Sequence, residues 1–353
     1  VLIGTNDDEL NYGSTQTATD LILQMPSMYN SGAYLGAGSL SLQIPDGTLK
    51  GGNTRGISAI DLQIRRDSAT QVASGNHSVV MGGSNTATAS CAIAMGYACN
   101  ALGSQSVALG YINTASNFYS VAMGSSNNSS GSASIAMGYN NISSGSSSVA
   151  IGGSNTASID YSVAMGNNNT ASGQGGFALG GKNVASGLYS FAIGQYATTN
   201  NIRGKFVFGN NYNSSIVGAV QSGFINVYAG TIDATATILS SDGNTANYTN
   251  QCVLQNNNAM AFTVEVVARN TVTGMAGRWE AKGLIKRGAN ASATALVGTP
   301  TVTLTNADNE AWIVAGAITI TADTINGSLA IKATGAASTT IDWAAKILTT
   351  EVV

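Results

Sequence analysis

Between Ser78 and Gly194 small and large side chains alternate in a five-residue phrase that recurs nine times, every 14 residues. The first copy is Ser78-Val79-Val80-Met81-Gly82 and the last is Ser190-Phe191-Ala192-Ile193-Gly194. Alternation at period two predicts a strand with two unlike faces. One face carries Val79, Ile93, Val107, Val121, Ile135, Val149, Val163, Phe177 and Phe191. Two residues on, it carries Met81, Met95, Leu109, Met123, Met137, Ile151, Met165, Leu179 and Ile193. The other face is Ser, Ala and Gly, with a nearly pure column at Ala94, Ala108, Ala122, Ala136, Ala150, Ala164, Ala178 and Ala192. An unbroken period this short predicts a stacked solenoid with one coil per repeat.

Fourteen residues leave room for two short strands and two tight turns, a flattened β-roll. Coils stacked about 4.8 Å apart give a rod roughly 45 Å long. A second small column, from Ala87 to Ala185, marks the second strand of each coil. Two residues before it runs an Asn column, Asn85, Asn113, Asn127, Asn141, Asn155, Asn169 and Asn183, interrupted by Cys99. Stacked Asn side chains are expected to hydrogen-bond along the rod. Ser-Gly pairs such as Ser130-Gly131 are expected to supply a positive φ at the corner. The large columns are expected to fill each roll, as large apolar side chains usually do. That leaves the small face for other chains, with the eight alanines as candidate packing residues for self-association.

The flanks lack the period. Residues 1–70 read as a cap or particle connector, with Asp7-Asp8-Glu9, a short helix over Thr19–Met25, and turns at Pro26, Pro45-Asp46-Gly47 and Gly51-Gly52-Asn53. The roll spans 71–209 and ends on a degenerate phrase, Phe206-Val207-Phe208-Gly209, one residue late. Residues 210–353 read as a C-terminal antiparallel β-sandwich, with strands over 262–268, 279–286, 301–305, 312–321, 329–333 and 341–348. Asn326-Gly327 is a hairpin signal. The fold class is all-β.

Charged residues make up 9% of the chain and the net charge is -3. That gives no electrostatic footing for nucleic acid. No apolar run of about 20 residues predicts a membrane span, and no secretory signal is read at Val1-Leu2-Ile3-Gly4. Cys91, Cys99 and Cys252 match no metal spacing and are expected to be free thiols. His77 stands alone. Charge returns after the roll at Lys282, Lys286 and Arg287, near Trp279 and Trp312. These five are the candidate receptor-binding residues, an aromatic platform with cations; for the tryptophans the competing expectation is core packing. The carboxylates of this region form no catalytic motif, so no enzyme, cofactor or metal site is expected.

The phrase Ser-Val-Ala-Ile/Met-Gly, with Ala-Ser-Gly beginning five residues upstream, resembles the head repeats of trimeric autotransporter adhesins. The resemblance implies a left-handed parallel β-roll assembled as a homotrimer. Arg55-Gly56-Ile57-Ser58-Ala59-Ile60-Asp61-Leu62-Gln63 is similar to the lead-in of such repeats in bacteriophage tail proteins. The segment from Arg287-Gly288-Ala289 to Thr340-Ile341-Asp342-Trp343 looks like the terminal β-domain of phage tail fibres. An autotransporter is expected to end in a membrane-anchoring barrel segment, which Ile347-Leu348-Thr349-Thr350-Glu351-Val352-Val353 does not resemble. The expectation is therefore a subunit of a phage tail fibre or spike on the virion. Its implied partners are two further copies, other virion tail proteins, and a host-surface glycan or protein. The alternatives are a fragment of a trimeric bacterial adhesin or a glycan depolymerase spike.

Overall fold

The computed structural model describes residues 29–30, 33–34, 39–43, 45–210 and 216–353. The acidic run at 7–9, the helix expected over 19–25 and the turn at Pro26 lie outside them. Each repeat is one coil of two strands. Five-residue strands, from Val79–Gly83 to Phe191–Gln195, stack in parallel and in register, and Phe206–Asn210 continues the stack. Two-residue strands, from Thr86–Ala87 to Val184–Ala185, form a second parallel sheet behind it.

The two faces are inverted relative to the sequence expectation. Ala94, Ala108, Ala122, Ala136, Ala150, Ala164, Ala178 and Ala192 are all 0% exposed, inside the roll, against Ala87, Ala101, Ala115, Ala157, Ala171 and Ala185 of the short sheet. They cannot be an intermolecular packing face. A coil this flat has an interior only wide enough for small side chains, Ala, Ser, Cys and Asn, with Val80 and Val207 in the end coils. The large columns therefore point outward.

The Asn column behaves as expected. Asn141 Nδ2 donates to Asn127 Oδ1 at 3.0 Å, Met137 O at 2.9 Å and Gly152 O at 2.8 Å. Its Oδ1 accepts from the Asn155 backbone N–H and amide, both at 3.0 Å. One buried amide thus pins three coils, and its donors and acceptor are all used. At the break, Cys99 NH still donates to Asn85 Oδ1 at 2.8 Å, but its thiol offers only a weak contact to Tyr97 O at 3.7 Å. Burial pushes this thiol up.

The corners also differ from expectation. Positive φ falls on non-glycine residues, including His77, Ile112, Tyr119 and Tyr161, at 52° to 61°. Gly131 is needed for a different reason: a Cβ there would lie 1.9 Å from Gly145 O in the next coil. Gly152, ending the phrase, has both constraints, with φ +116° and a Cβ position 2.1 Å from Gly166 O.

The parallel sheet runs upstream past residue 70, through Ile60–Arg65 to Leu40–Ser41. Gln63 stands in for the ladder Asn at this end: its Oε1 accepts from Asn85 NH at 3.0 Å and its Nε2 donates to Asn85 O at 3.2 Å. Asp61 Oδ2 holds Arg55 Nε at 2.7 Å and Arg66 Nη2 at 2.9 Å, all three side chains 0% exposed. Burial brings the Arg55 guanidinium down to about 10 against the pull of Asp61.

At the other end the sheet turns antiparallel, through Val220–Thr231, Ile341–Val352, Asn258–Asn270, Ala276–Arg287 and Thr294–Ala307. A smaller sheet centred on Ser328–Thr334 packs over its inner face, completing the sandwich. Asn326-Gly327 closes the expected hairpin between Ile318–Asp323 and Ser328–Thr334. The strand expected to begin at residue 312 starts at Ile318, because Trp312 to Ala317 form a turn and a short 3-10 segment.

Candidate functional site

The feature that a single chain leaves unfinished is the outward face of the long strands. Position two of each phrase and position four both point away from the roll, and their neighbours in adjacent coils cover them only in part. Val79 to Phe191 and Met81 to Ile193 are nearly all half-buried, Met165 is 40% exposed and Phe208 54%. In-register pairing aligns each column along the whole rod. Ile60 and Leu62 extend both columns upstream. Toward the C-terminal end the first column turns aromatic, with Phe177, Phe191 and Phe206 rings stacked at 4.8 and 5.7 Å. Tyr97 and Tyr111, stacked at 5.7 Å, stand at one margin.

Neither column holds a charged or polar side chain from Ile60 to Phe208. Eleven strands spaced about 4.8 Å, with two columns about 7 Å apart, present roughly 550 Å² in projection. This is near the upper limit of the apolar patch an ordinary monomer exposes. The geometry suits burial against an identical strip, since a parallel in-register face repeats every coil and can interdigitate with itself.

The candidate recognition residues do not converge. Trp279 and Trp312 are 0% and 7% exposed and pack with Trp343, ring centres 5.5 to 6.3 Å apart, at the centre of the sandwich. Their indole N–H groups are engaged by Val314 O at 2.9 Å and by Glu310. Strand alternation explains the correction: Trp279 and Lys282 lie on opposite faces of one strand. Lys282 and Lys286 are exposed on the outer face of the long sheet. Arg287 is half-buried, donates to Leu254 O at 2.8 Å, and is pushed down by burial. The most exposed apolar side chains of the sandwich are at loop tips, Val272 at 85% and Ile325 at 86%. A hollow of about 250 Å³ beside Trp312 is lined mainly by Ala311, Val314, Ala317 and Gly335.

Most of the described carboxylates are occupied by structure. Glu265 accepts from Arg278 at 2.9 Å and lies 3.3 Å from Lys346, which hold it below the usual carboxylate range. Glu310 is lowered chiefly by the Thr273 hydroxyl. Asp323 ties its own turn through Ile325 and Asn326 N–H at 2.9 and 3.1 Å. All three cysteines are unpaired, Cys91 exposed and Cys99 and Cys252 buried.

The large columns are the outward-facing residues that sequence reasoning assigned to the interior. The signal that identifies them is steric: a coil of 14 residues leaves no room between its sheets for Met or Phe.

Comparison with protein families finds the YadA head domain repeat, a two-copy model, over residues 73–98, 92–111, 101–126, 115–141, 143–169 and 171–197. The matched segments cover about a third of the chain. No curated protein matches the chain. The solenoid is thus a β-roll like the heads of trimeric autotransporter adhesins, confined to the repeat region.

Proposed function

We propose that an adhesin-type head roll serves here as the shaft of a homotrimeric fibre or spike on a phage tail, a structural and host-recognition subunit. The observation that carries the reading is the uncharged outward strip, which needs a partner of the same length and period. Two further copies of the chain supply it. The rod sets reach, residues 1–70 connect to other virion tail proteins, and the sandwich meets a host-surface glycan or protein. Since the tryptophans are in the core, recognition falls to the loop tips around Val272 and Ile325.

A trimeric bacterial surface adhesin is the second reading, favoured by the head-repeat match itself. Both readings place the chain on an extracellular appendage. We further propose that the chain is not an enzyme, because most of its described carboxylates engage ion pairs or turns. Release of reducing sugar from host polysaccharide by the purified chain would overturn that.

The test of the carrier is immunogold labelling with antibody to the purified full chain, alongside adsorption assays. Labelled tail appendages and blocked adsorption are expected. Labelled bacterial surfaces without labelled virions would replace the phage reading with the adhesin one. A chain that binds no host cell and blocks no adsorption would refute the recognition role.

A further inference from the structure

The outward strip does not stop where the roll stops. Phe206–Asn210 pairs in parallel with Phe191–Gln195 on one side and antiparallel with Val220–Thr231 on the other, so roll and sandwich share one sheet. Register carries both columns across the junction. Phe206 faces Phe224, Phe224 faces Leu348, and Leu348 faces Thr263. In the neighbouring column Phe208 faces Ser222, Ser222 faces Thr350, and Thr350 faces Ala261. The aromatic stack crosses with them, the Phe206 and Phe224 rings lying 5.2 Å apart. Beside these columns Val220 and Val352 are paired and 46% and 54% exposed, and Leu348 is 45% exposed.

Charge marks where this extension ends. The three columns stay uncharged over the first three sandwich strands; on the fourth the outer two meet Lys282 and Lys286 and the middle one meets Leu284. To one side runs a polar margin of Asn226, Lys346, Glu265 and Glu280, with Glu265 bound to Lys346 and Arg278. The centre is uncharged, with the small side chains of Ser222, Thr350 and Ala261 between the apolar Phe224–Leu348 and Val220–Val352 pairs, and an uncharged centre with a charged margin is the anatomy of a protein interface. Beneath the junction a buried clasp fixes the orientation of the two parts. Lys205 Nζ lies 2.8 Å from Glu351 Oε1, and Gln221 Nε2 donates to Glu351 Oε2 at 2.9 Å. Gln221 Oε1 in turn accepts from Thr198 NH at 2.9 Å. The sandwich cannot swing its outer face away from the plane of the roll without breaking this clasp.

We propose that the outer face of the sandwich, from Phe224 and Val220 through Leu348, Val352 and Ala261, is a second half of the self-association surface. Its occupant is the same face of the other copies of this chain. The contact ends at Lys282 and Lys286, where three copies of each cation approach one another and the sandwiches diverge. This inference rests on the trimer reading of the roll and adds the orientation of the sandwiches: long sheets toward the axis, short sheets and loop tips outward.

The test uses the full chain in a Cys91→Ser background, the other two cysteines being buried. A nitroxide is placed through Leu348→Cys, with Val352→Cys as a second position, and separately through Thr319→Cys on the outside of the short sheet. Points related by a threefold axis are separated by √3 times their radius. Packed sheets lie about 10 Å apart, so labels at 319 should be at least about 17 Å further from one another than labels at 348. Pulsed dipolar spectroscopy on material of confirmed trimer mass is expected to show that order. A trimer in which the 348 and 352 distances equal or exceed those at 319 overturns the inference and leaves the roll trimer standing. A monomeric mass overturns both.

Discussion

Cys99 is the one interior position where the Asn ladder fails, and Cys99→Asn should repair it. In an intact coil Asn141 makes three donor and two acceptor contacts, all between 2.8 and 3.0 Å. In the broken coil the Asn113 N–H groups face a neutral thiol, a weak acceptor. An asparagine at 99 would give them an amide oxygen and would offer its own amide to Asn85 Oδ1, Met95 O and Gly110 O. A hydrogen bond contributes about 0.5–1.5 kcal/mol net. The strand carbonyls already have ladder partners, so only the two groups now poorly partnered should count in full. Net stabilisation is then about 1–2 kcal/mol after the lost burial of the thiol. A solenoid opens locally rather than all at once, so the direct assay is hydrogen exchange. The Asn113 amide and its neighbours in the flanking coils should exchange about 5- to 30-fold more slowly, with a higher melting midpoint. Unchanged or faster exchange at Asn113 would refute the idea that the ladder is a stabilising element.

The converse change, Asn141→Ala, strips the Asn155 N–H of its partner and should destabilise by about 3–6 kcal/mol, read as lost exchange protection centred on coils 127–155. Gly152→Ala combines a left-handed φ with a Cβ 2.1 Å from Gly166 O, and should cost at least about 3 kcal/mol, seen as loss of the β circular-dichroism signal at a lower temperature. Burial pushes the Cys252 thiol from 9.0 up to about 12. The folded state therefore keeps a proton that the unfolded chain releases, so this group's contribution is intact below pH 9 and declines as pH rises toward 12, by about 1.4 kcal/mol per unit. Urea titrations of wild type and Cys252→Ala over pH 8–11 should show a shallower alkaline decline in the variant; identical slopes would exclude the thiol as its source.

Much of the roll was legible because its signals are local and repeated. Coil length, parallel stacking and the Asn column follow from spacing, and in the sandwich the Asn326-Gly327 hairpin follows from its turn chemistry. Which face is inner did not follow from alternation. Period two says that Val121 and Met123 share a face and that Ala122 lies on the other, but both choices satisfy it. The habit of placing large side chains inside then gave the wrong answer, because a two-sheet coil of this length has an interior only one small side chain deep. The same habit was right for Trp279, Trp312 and Trp343, where the sandwich has a wide core. The two end clasps were not legible. Lys205 and Glu351 are 146 residues apart and meet only once the last strand lies beside the roll. Nothing in the spacing of Arg55, Asp61 and Arg66 marks them as a buried ion cluster, which forms only once the first coils close over them.

The central claim is that the outward Val/Ile and Met/Leu columns, and not the alanines, hold copies of this chain together. Sedimentation equilibrium of the full chain beside a Met123→Asp, Met137→Asp variant tests it most directly. The wild-type chain should sediment at three times its 35.6 kDa. The variant, with six carboxylates facing one axis, should fall toward the single-chain mass while keeping its β-sheet spectrum. A wild-type chain that stays soluble at 35.6 kDa, or a variant that remains trimeric, would contradict the account.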